Sequence, residues 1–384
     1  MFSDLSEDQI AIMESGLDFM NEYLKPNAAK WDDNKMVDYD IIREAAKLGY
    51  GGLYINENNG GTGLDRHDTT LIFEALSQGC VSTTSLLTIH NMTAWMLEKY
   101  GKDSIKKEYL SKMISCELMG SYCLTEPHCG SDAAALKTSA KKDGEHYILN
   151  GQKVFISGGS VHDIYIVMAR TSDHKTTGIS CFLIPNNTPG LSFGKLEKKM
   201  GWNASPTAQV FMEDLKIHKD FMLGNEGEGF KIALKALDGG RINIAACSLG
   251  AAHRCVEDSI HYVLDRKAFG VEISEFQNTQ FKLADLDADL HASRLVLRNA
   301  AKMFDHNDDE KTWFCARAKK LVTDNCFNIC NESLQLFGGY GYLKEYEIER
   351  FVRDVRVHCI LEGTNEIMRL IASRRILDKT LNGL

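Results

Sequence analysis

Proline is scarce in this chain: five in 384 residues, at Pro26, Pro127, Pro185, Pro189 and Pro206. None follows Pro206, so the remainder is free to form long uninterrupted helices. No apolar run approaches the roughly 18–20 residues that cross a bilayer, which argues against membrane insertion. No lysine–arginine block interrupts a net charge of -9, which argues against nucleic acid as a partner. The eleven cysteines include no CxxC pair and no histidine at metal-ligand spacing. They read as small core residues in a reducing compartment, with no disulfide framework and no metal site. The glycine-rich stretch Asn58 to Gly63 lacks the strand-then-helix setting of a dinucleotide fingerprint and reads as a loop.

What is present is an ordinary globular composition, 44% hydrophobic and 25% charged, in a chain long enough for two or three domains. The first region, 1–119, reads as a helical domain. Ser6 and Gln9 form a capping box, Ile10, Met13, Leu17, Met20 and Leu24 recur at helical spacing, and Pro26 follows as a stop. The middle region, 120–224, changes period. Strand-like runs flank the hairpin signal Asp143-Gly144 and recur at Asp163–Met168, Ile179–Ile184 and Gln209–Met212. No helices alternate with them, so an antiparallel β-barrel or sandwich domain is expected. The third region, 225–384, returns to helix, with Leu283, Leu286, Leu290 and Leu297 on one face, and reads as a four-helix bundle. The expected class is α+β multidomain.

Five segments carry chemistry. Tyr122-Cys123-Leu124-Thr125-Glu126-Pro127-His128-Cys129-Gly130-Ser131-Asp132 offers hydroxyls and backbone N–H groups in a bent loop, suited to the polar edge of a planar ring or a phosphate. Lys153-Val154-Phe155-Ile156-Ser157-Gly158 sets an aromatic beside a hydroxyl at a strand end, which by itself reads as core plus turn. Arg266 to Gly270, with Gln277 after it, supplies an arginine for a diphosphate and Phe269 to cover adenine. Gln335 to Gly341 ends a helix on glycines that permit close backbone approach. Last comes Ile360-Leu361-Glu362-Gly363-Thr364-Asn365-Glu366, where a carboxylate sits between apolar residues and glycine. This is poor surface helix and a sensible place for a general base.

In order, spacing and conjunction these segments resemble the acyl-CoA dehydrogenase family over nearly the whole chain. The Thr-Glu-Pro-x-x-Gly-Ser-Asp segment and the stretch from Arg353-Asp354 to Arg369 look like its two signature regions. The resemblance implies that FAD is bound and that the Cα–Cβ bond of an acyl-CoA thioester is oxidised to the trans-2-enoyl thioester. It makes Glu362 the base for the α proton while the flavin accepts the β hydride. Its apolar neighbours Ile360 and Leu361 are expected to raise its pKa. Some relatives carry the base just before an arginine on another helix, where this chain has Gly240 before Arg241. By the same resemblance, Tyr122, Leu124, Thr125, Ser131, Phe155, Ile156 and Ser157 are flavin contacts. Arg266, Phe269, Gln277, Gln335, Gly338 and Gly339 reach the flavin of a neighbouring subunit. Thr364 and Glu366 follow the base as further flavin contacts, and Ser131, Asp238, Arg241, Gly363 and Arg374 line the CoA-thioester channel.

A site shared across subunits implies a homo-oligomer, by analogy a tetramer, with electron transferring flavoprotein as electron acceptor. The start of the chain lacks the marks of a signal or transit peptide. That fits a mature protein of the mitochondrial matrix if eukaryotic, and a cytoplasmic one if bacterial. The finer resemblance is to the branch acting on isobutyryl-CoA in valine breakdown, with short straight-chain or 2-methylbutyryl-CoA as the alternative and an oxidase-like flavoprotein behind it. Phe155 stands where many relatives carry tryptophan, which leaves room for an α-methyl branch. His128, Cys129 and Asp238 depart from the usual residues; His128 is expected to face solvent, and Asp238 to alter CoA binding.

Overall fold

The structure, a computed structural model, describes residues 5–381. Six helices come first: α1 (Glu7–Phe19), α2 (Ala28–Asn34), α3 (Tyr39–Lys47), α4 (Arg66–Ser77), α5 (Val81–Tyr100) and α6 (Asp103–Ile114). The Ser6–Gln9 capping box forms, each residue's side chain accepting from the other's backbone N–H at 3.3 and 3.2 Å. Helix α1 passes into a π turn at Met20–Leu24 before Pro26.

Eight strands follow: β1 (Gly120–Cys123), β2 (Ser139–Asp143), β3 (His146–Ser157), β4 (Ile164–Arg170), β5 (Ile179–Pro185), β6 (Leu191–Phe193), β7 (Thr207–His218) and β8 (Met222–Leu223). They form one sheet in the order β6-β7-β3-β2-β4-β5-β8, with β1 also paired to β4. The pairing is antiparallel except at two places. β1 runs parallel to β4 from Gly120↔Ile164 to Cys123↔Val167, and β2 meets β4 in parallel at Ser139↔Arg170. The second follows from the β2–β3 hairpin, since β4 runs opposite to β3 and so in the direction of β2.

Strands β4 and β5 read as continuous apolar runs because both sheet faces are covered. Ile164, Ile166 and Met168 face a core shared with α5, α6 and the start of the next helix. Tyr165, Val167 and Ala169 alternate with them into the sheet's own core with Phe182, Val210 and Leu215.

The proline-free remainder forms α7 (Gly229–Asp265), a short hairpin of β9 (Lys267–Ala268) and β10 (Val271–Glu272), then α8 (Gln277–Asp305), α9 (Lys311–Phe337), α10 (Ile348–Arg356) and α11 (Asn365–Leu381). Helices α7, α8 and α9 pack against one another, and α11 lies along α9. One core joins them to the first region: Phe73 and Leu76 of α4 belong to the same cluster as Leu249, Leu297 and Cys326. Among the described residues no helix is long and apolar enough to cross a membrane. All eleven cysteines are free, and all but Cys359 are buried.

Candidate functional site

Glu362 lies in a bend between a 3-10 turn at Val357–Cys359 and the start of α11. Its φ is +57° and that of Gly363 is +90°. Two successive left-handed residues are unusual, and for a glutamate the conformation must be held by its surroundings. Arg241 Nε donates to the Glu362 carbonyl at 3.3 Å, and Lys319 Nζ donates to the Gly363 carbonyl at 2.9 Å. The turn carries the Glu362 side chain onto α7 at Gly240. A Cβ on Gly240 would sit 2.5 Å from Oε2 and 2.8 Å from the carboxyl carbon, so only glycine leaves the carboxylate where it is. Gly240→Ala is expected to displace the carboxylate and lower turnover roughly tenfold or more, since sub-ångström placement decides proton transfer. Steady-state kinetics beside an unchanged flavin spectrum check this.

Oε2 is buried and has no hydrogen-bond partner among the described residues. Burial pushes the Glu362 carboxyl up to about 7, against the opposing pull of Arg241 and then Lys319. The rise is as expected, though of its two apolar neighbours only Leu361 packs inward. Ile360 is 52% exposed, and Leu361 packs partly into the helical core. Gly240 of α7 lies against the carboxylate, and on β1 the Tyr122 hydroxyl is also buried without a partner among the described residues. Burial, and after it the Glu362 charge, pushes the Tyr122 phenol far above its ordinary range.

Asp238 is bonded to Arg241 at 2.6 Å and accepts from Thr312 Oγ1 at 2.6 Å. Its negative charge is therefore paired inside the protein.

The rim of the β domain stands beside this pocket. The Thr125 carbonyl accepts from Val154 N–H at 3.0 Å, and the Ser157 carbonyl accepts from Ser121 Oγ at 2.7 Å. These bonds lay the Leu124–Thr125 segment along Val154–Ser157. Leu124 and Ile156 are buried, and Ser131 is exposed. Phe155 is not core: a bulge in the β3–β7 ladder between Lys153 and Ile156, with Phe155 at φ +59°, leaves its ring 71% exposed.

Two features that the spacing did not reveal stabilise this rim. Lys153, fully buried, donates to Glu126 Oε1 at 2.8 Å and to the Leu124 carbonyl at 3.1 Å. Glu126 also accepts from the N–H groups of Lys137 and Thr138 at 2.7 and 2.9 Å. Burial works to raise the Glu126 carboxyl, yet Lys153 and these donors together hold it below its ordinary range. Glu126, His128 and Cys129 bring ligand-type atoms within 4.8 Å of one another, but both Glu126 oxygens are committed to these donors. His128 is exposed, as expected, and contacts the Ala135 carbonyl.

A second group assembles elsewhere. Arg266, Gln335, Gly338 and Gly339 line one cavity of about 380 Å³ together with Tyr262 and Tyr340. A Cβ on Gly338 or Gly339 would meet nothing within 4 Å, so that backbone is open to a ligand. Phe269 and Gly270, at φ +52° and +88°, form the tip of the β9–β10 hairpin, and the Phe269 ring is 98% exposed. Gln277 opens α8 and is exposed. Thr364 and Glu366 line a third depression of about 310 Å³ with Asp324, Arg356 and Cys359. Arg374 stands exposed on α11, apart from the contacts that hold the Glu362 turn.

These residues fit a large planar cofactor with a charged tail. An exposed aromatic stands beside the hydroxyls of Thr125 and Ser157, open glycine backbone lies beside Arg266, and an unpartnered carboxylate oxygen lies in the buried pocket.

Three family models cover the chain: acyl-CoA dehydrogenase N-terminal domain over residues 6–117, middle domain over 121–215 and C-terminal domain over 227–377. Mitochondrial isobutyryl-CoA dehydrogenase of Dictyostelium discoideum is 50% identical over 373 residues, covering 97% of this chain and 90% of that one. Its counterpart from Bos taurus is 48% identical over 375 residues, covering 98% and 90%. The solved structure of butyryl-CoA dehydrogenase from Megasphaera elsdenii superposes with a TM-score of 0.94 at 34% identity, covering 98% of this chain and all of that one.

Proposed function

Since the chain belongs to the acyl-CoA dehydrogenase family, we propose that it dehydrogenates a short, α-branched acyl-CoA, converting isobutyryl-CoA to methacrylyl-CoA. It is an oxidoreductase and a flavoprotein of the FAD class. The observation that carries the reading is the Glu362 carboxylate, buried with a free oxygen against Gly240.

Bound FAD supplies the hydride acceptor. The chain supplies the rest. Glu362 takes the α proton, and a carboxyl near 7 is poised between holding and releasing one at working pH. Its backbone N–H donates to no described group, which leaves it for the thioester oxygen as that atom gains enolate charge. Tyr122 and α7 exclude water, so the proton is exchanged in a low-dielectric pocket. Leu124, Thr125, Phe155, Ile156 and Ser157 bound the ring on one side. Arg266, Phe269, Gln277, Gln335 and Gly339 serve the adenosine end in a partner subunit, so the working form is a homo-oligomer, a tetramer by analogy. Electron transferring flavoprotein takes the electrons onward. The compartment is the mitochondrial matrix in a eukaryote, and the cytoplasm in a bacterium.

The branched substrate is supported by the relatives' names and by Phe155, a smaller ring than the usual tryptophan, at the exposed bulge of β3. One methylene in an apolar pocket is worth about 1–3 kcal/mol, so neighbouring acyl chains are expected to overlap. Ranking kcat/KM for isobutyryl-, butyryl- and 2-methylbutyryl-CoA tests the assignment, with isobutyryl-CoA expected first. Butyryl-CoA leading by about tenfold rejects the branch and leaves the family activity intact.

A further inference from the structure

Lys319 on α9 is fully buried, while its neighbour Lys320 reaches the surface and pairs with Asp324 at 3.3 Å. Among the described residues Lys319 forms no ion pair. Its ammonium is spent on neutral oxygens: the Gly363 carbonyl at 2.9 Å and Asn365 Oδ1 at 2.8 Å. Asn365 is fixed in turn, donating to Thr323 Oγ1 at 3.0 Å and Asp324 Oδ1 at 2.6 Å, and Thr323 Oγ1 donates back to the Lys319 carbonyl at 2.8 Å. Stripping water from an ammonium without giving it a carboxylate is expensive, and a methionine would fill this space more cheaply. Such a cation needs a reason.

The reason lies one residue away. We infer that Lys319 is a positioning residue for the base: it grips the Glu362–Gly363 turn by main-chain oxygen and brings a buried positive charge to that turn without bonding the carboxylate. This rests on Glu362 being the base.

The charges facing Glu362 are few. Arg241 approaches from α7, with Asp238 paired behind it; Lys319 and Asp324 come from α9; Cys359 and the buried His358 precede it in the chain; Tyr122 comes from β1 and the buried phenol of Tyr54 from the loop before α4. His358 is held near 3 by burial and then by Lys319, so it adds no charge. Arg241 and Lys319 are therefore the two cations acting on the carboxylate. Burial brings Lys319 itself down to about 8, with Cys359 and then Glu362 pulling it back up. The sign follows. The ammonium stabilises the carboxylate, so removing it raises the Glu362 pKa, and the acid limb of the turnover profile moves to higher pH.

The test uses the flavin-loaded enzyme and three variants. Lys319→Gln keeps a donor for the Gly363 carbonyl without charge, Lys319→Met removes both, and Lys319→Arg keeps charge. In the first two, the acid limb of kcat is expected to move alkaline by about one pH unit, and in the third to stay. A limb unmoved in Gln and Met, with only the melting temperature lowered, reduces Lys319 to a structural residue. A reciprocal measurement needs no turnover. In Glu362→Gln the 13Cε resonance of Lys319 should titrate at lower pH than in the parent, since coupled sites shift each other equally. Equal titration in both proteins overturns the inference even if the lysine variants fail to assemble. Failure of the base assignment shows separately, as turnover surviving in Glu362→Gln.

Discussion

Glu362→Gln is expected to keep its flavin colour and lose turnover by roughly a thousandfold or more, the scale of an essential general base. The amide is isosteric but cannot accept a proton at neutral pH. Because Oε2 has no partner among the described residues, the substitution breaks no hydrogen bond to that oxygen. It also removes a charge that burial disfavours. The melting temperature is therefore expected to stay level or rise. That pairing of lost activity and undiminished stability separates a catalytic carboxylate from a structural one. Anaerobic mixing with isobutyryl-CoA reads the first through flavin bleaching, and calorimetry reads the second. Full-rate bleaching in the variant would remove Glu362 from the mechanism.

Lys153→Met is expected to do the opposite: little change in the chemistry per bound flavin, but a large loss of stability. Lys153 and Glu126 bridge β3 and the Leu124–Glu126 segment with both groups buried. Removing one partner strands the other's charge, a loss of about 3–5 kcal/mol. The same bond holds the Leu124 carbonyl, so the rim proposed to contact the flavin loosens and cofactor retention drops after dialysis. Adding Glu126→Gln to Lys153→Met should recover only a part of the stability, since it removes the stranded charge but turns an amide NH2 toward one of the two backbone donors. An unaltered melting temperature in Lys153→Met would show that the pair contributes nothing.

Local signals were legible wherever a few adjacent residues decide the outcome. The Ser6–Gln9 box, the Asp143-Gly144 turn and the proline-free helices all follow from spacing alone. Phe155 was not legible in this way. Strict alternation puts it in a strand with an ordinary pleat, whereas the inserted bulge shifts the parity, and no residue near it announces a bulge. Lys319 and Lys320 are indistinguishable in sequence. Which one turns inward depends on Gly363 and Asn365, more than forty positions away. The pairing of Asp238 with Thr312 is likewise invisible in sequence, because Thr312 lies on another helix. Glu362 itself was readable only through the order of the motifs around it. Its elevated pKa comes from burial, which elements distant in sequence help to supply.

The cluster uniting α4 with α7, α8 and α9 has a consequence for biosynthesis. A ribosome delivers the N-terminal helices long before the surfaces that will cover them. The sheet's second cluster draws only on residues between Cys123 and Met222, so it is able to close early. Phe73 and Leu76 must wait for α7 and the helices after it. The nascent protein thus emerges with its middle finished and its beginning sticky, a natural client for chaperones, and a lesion near the last helices is felt first at the opposite end of the polypeptide.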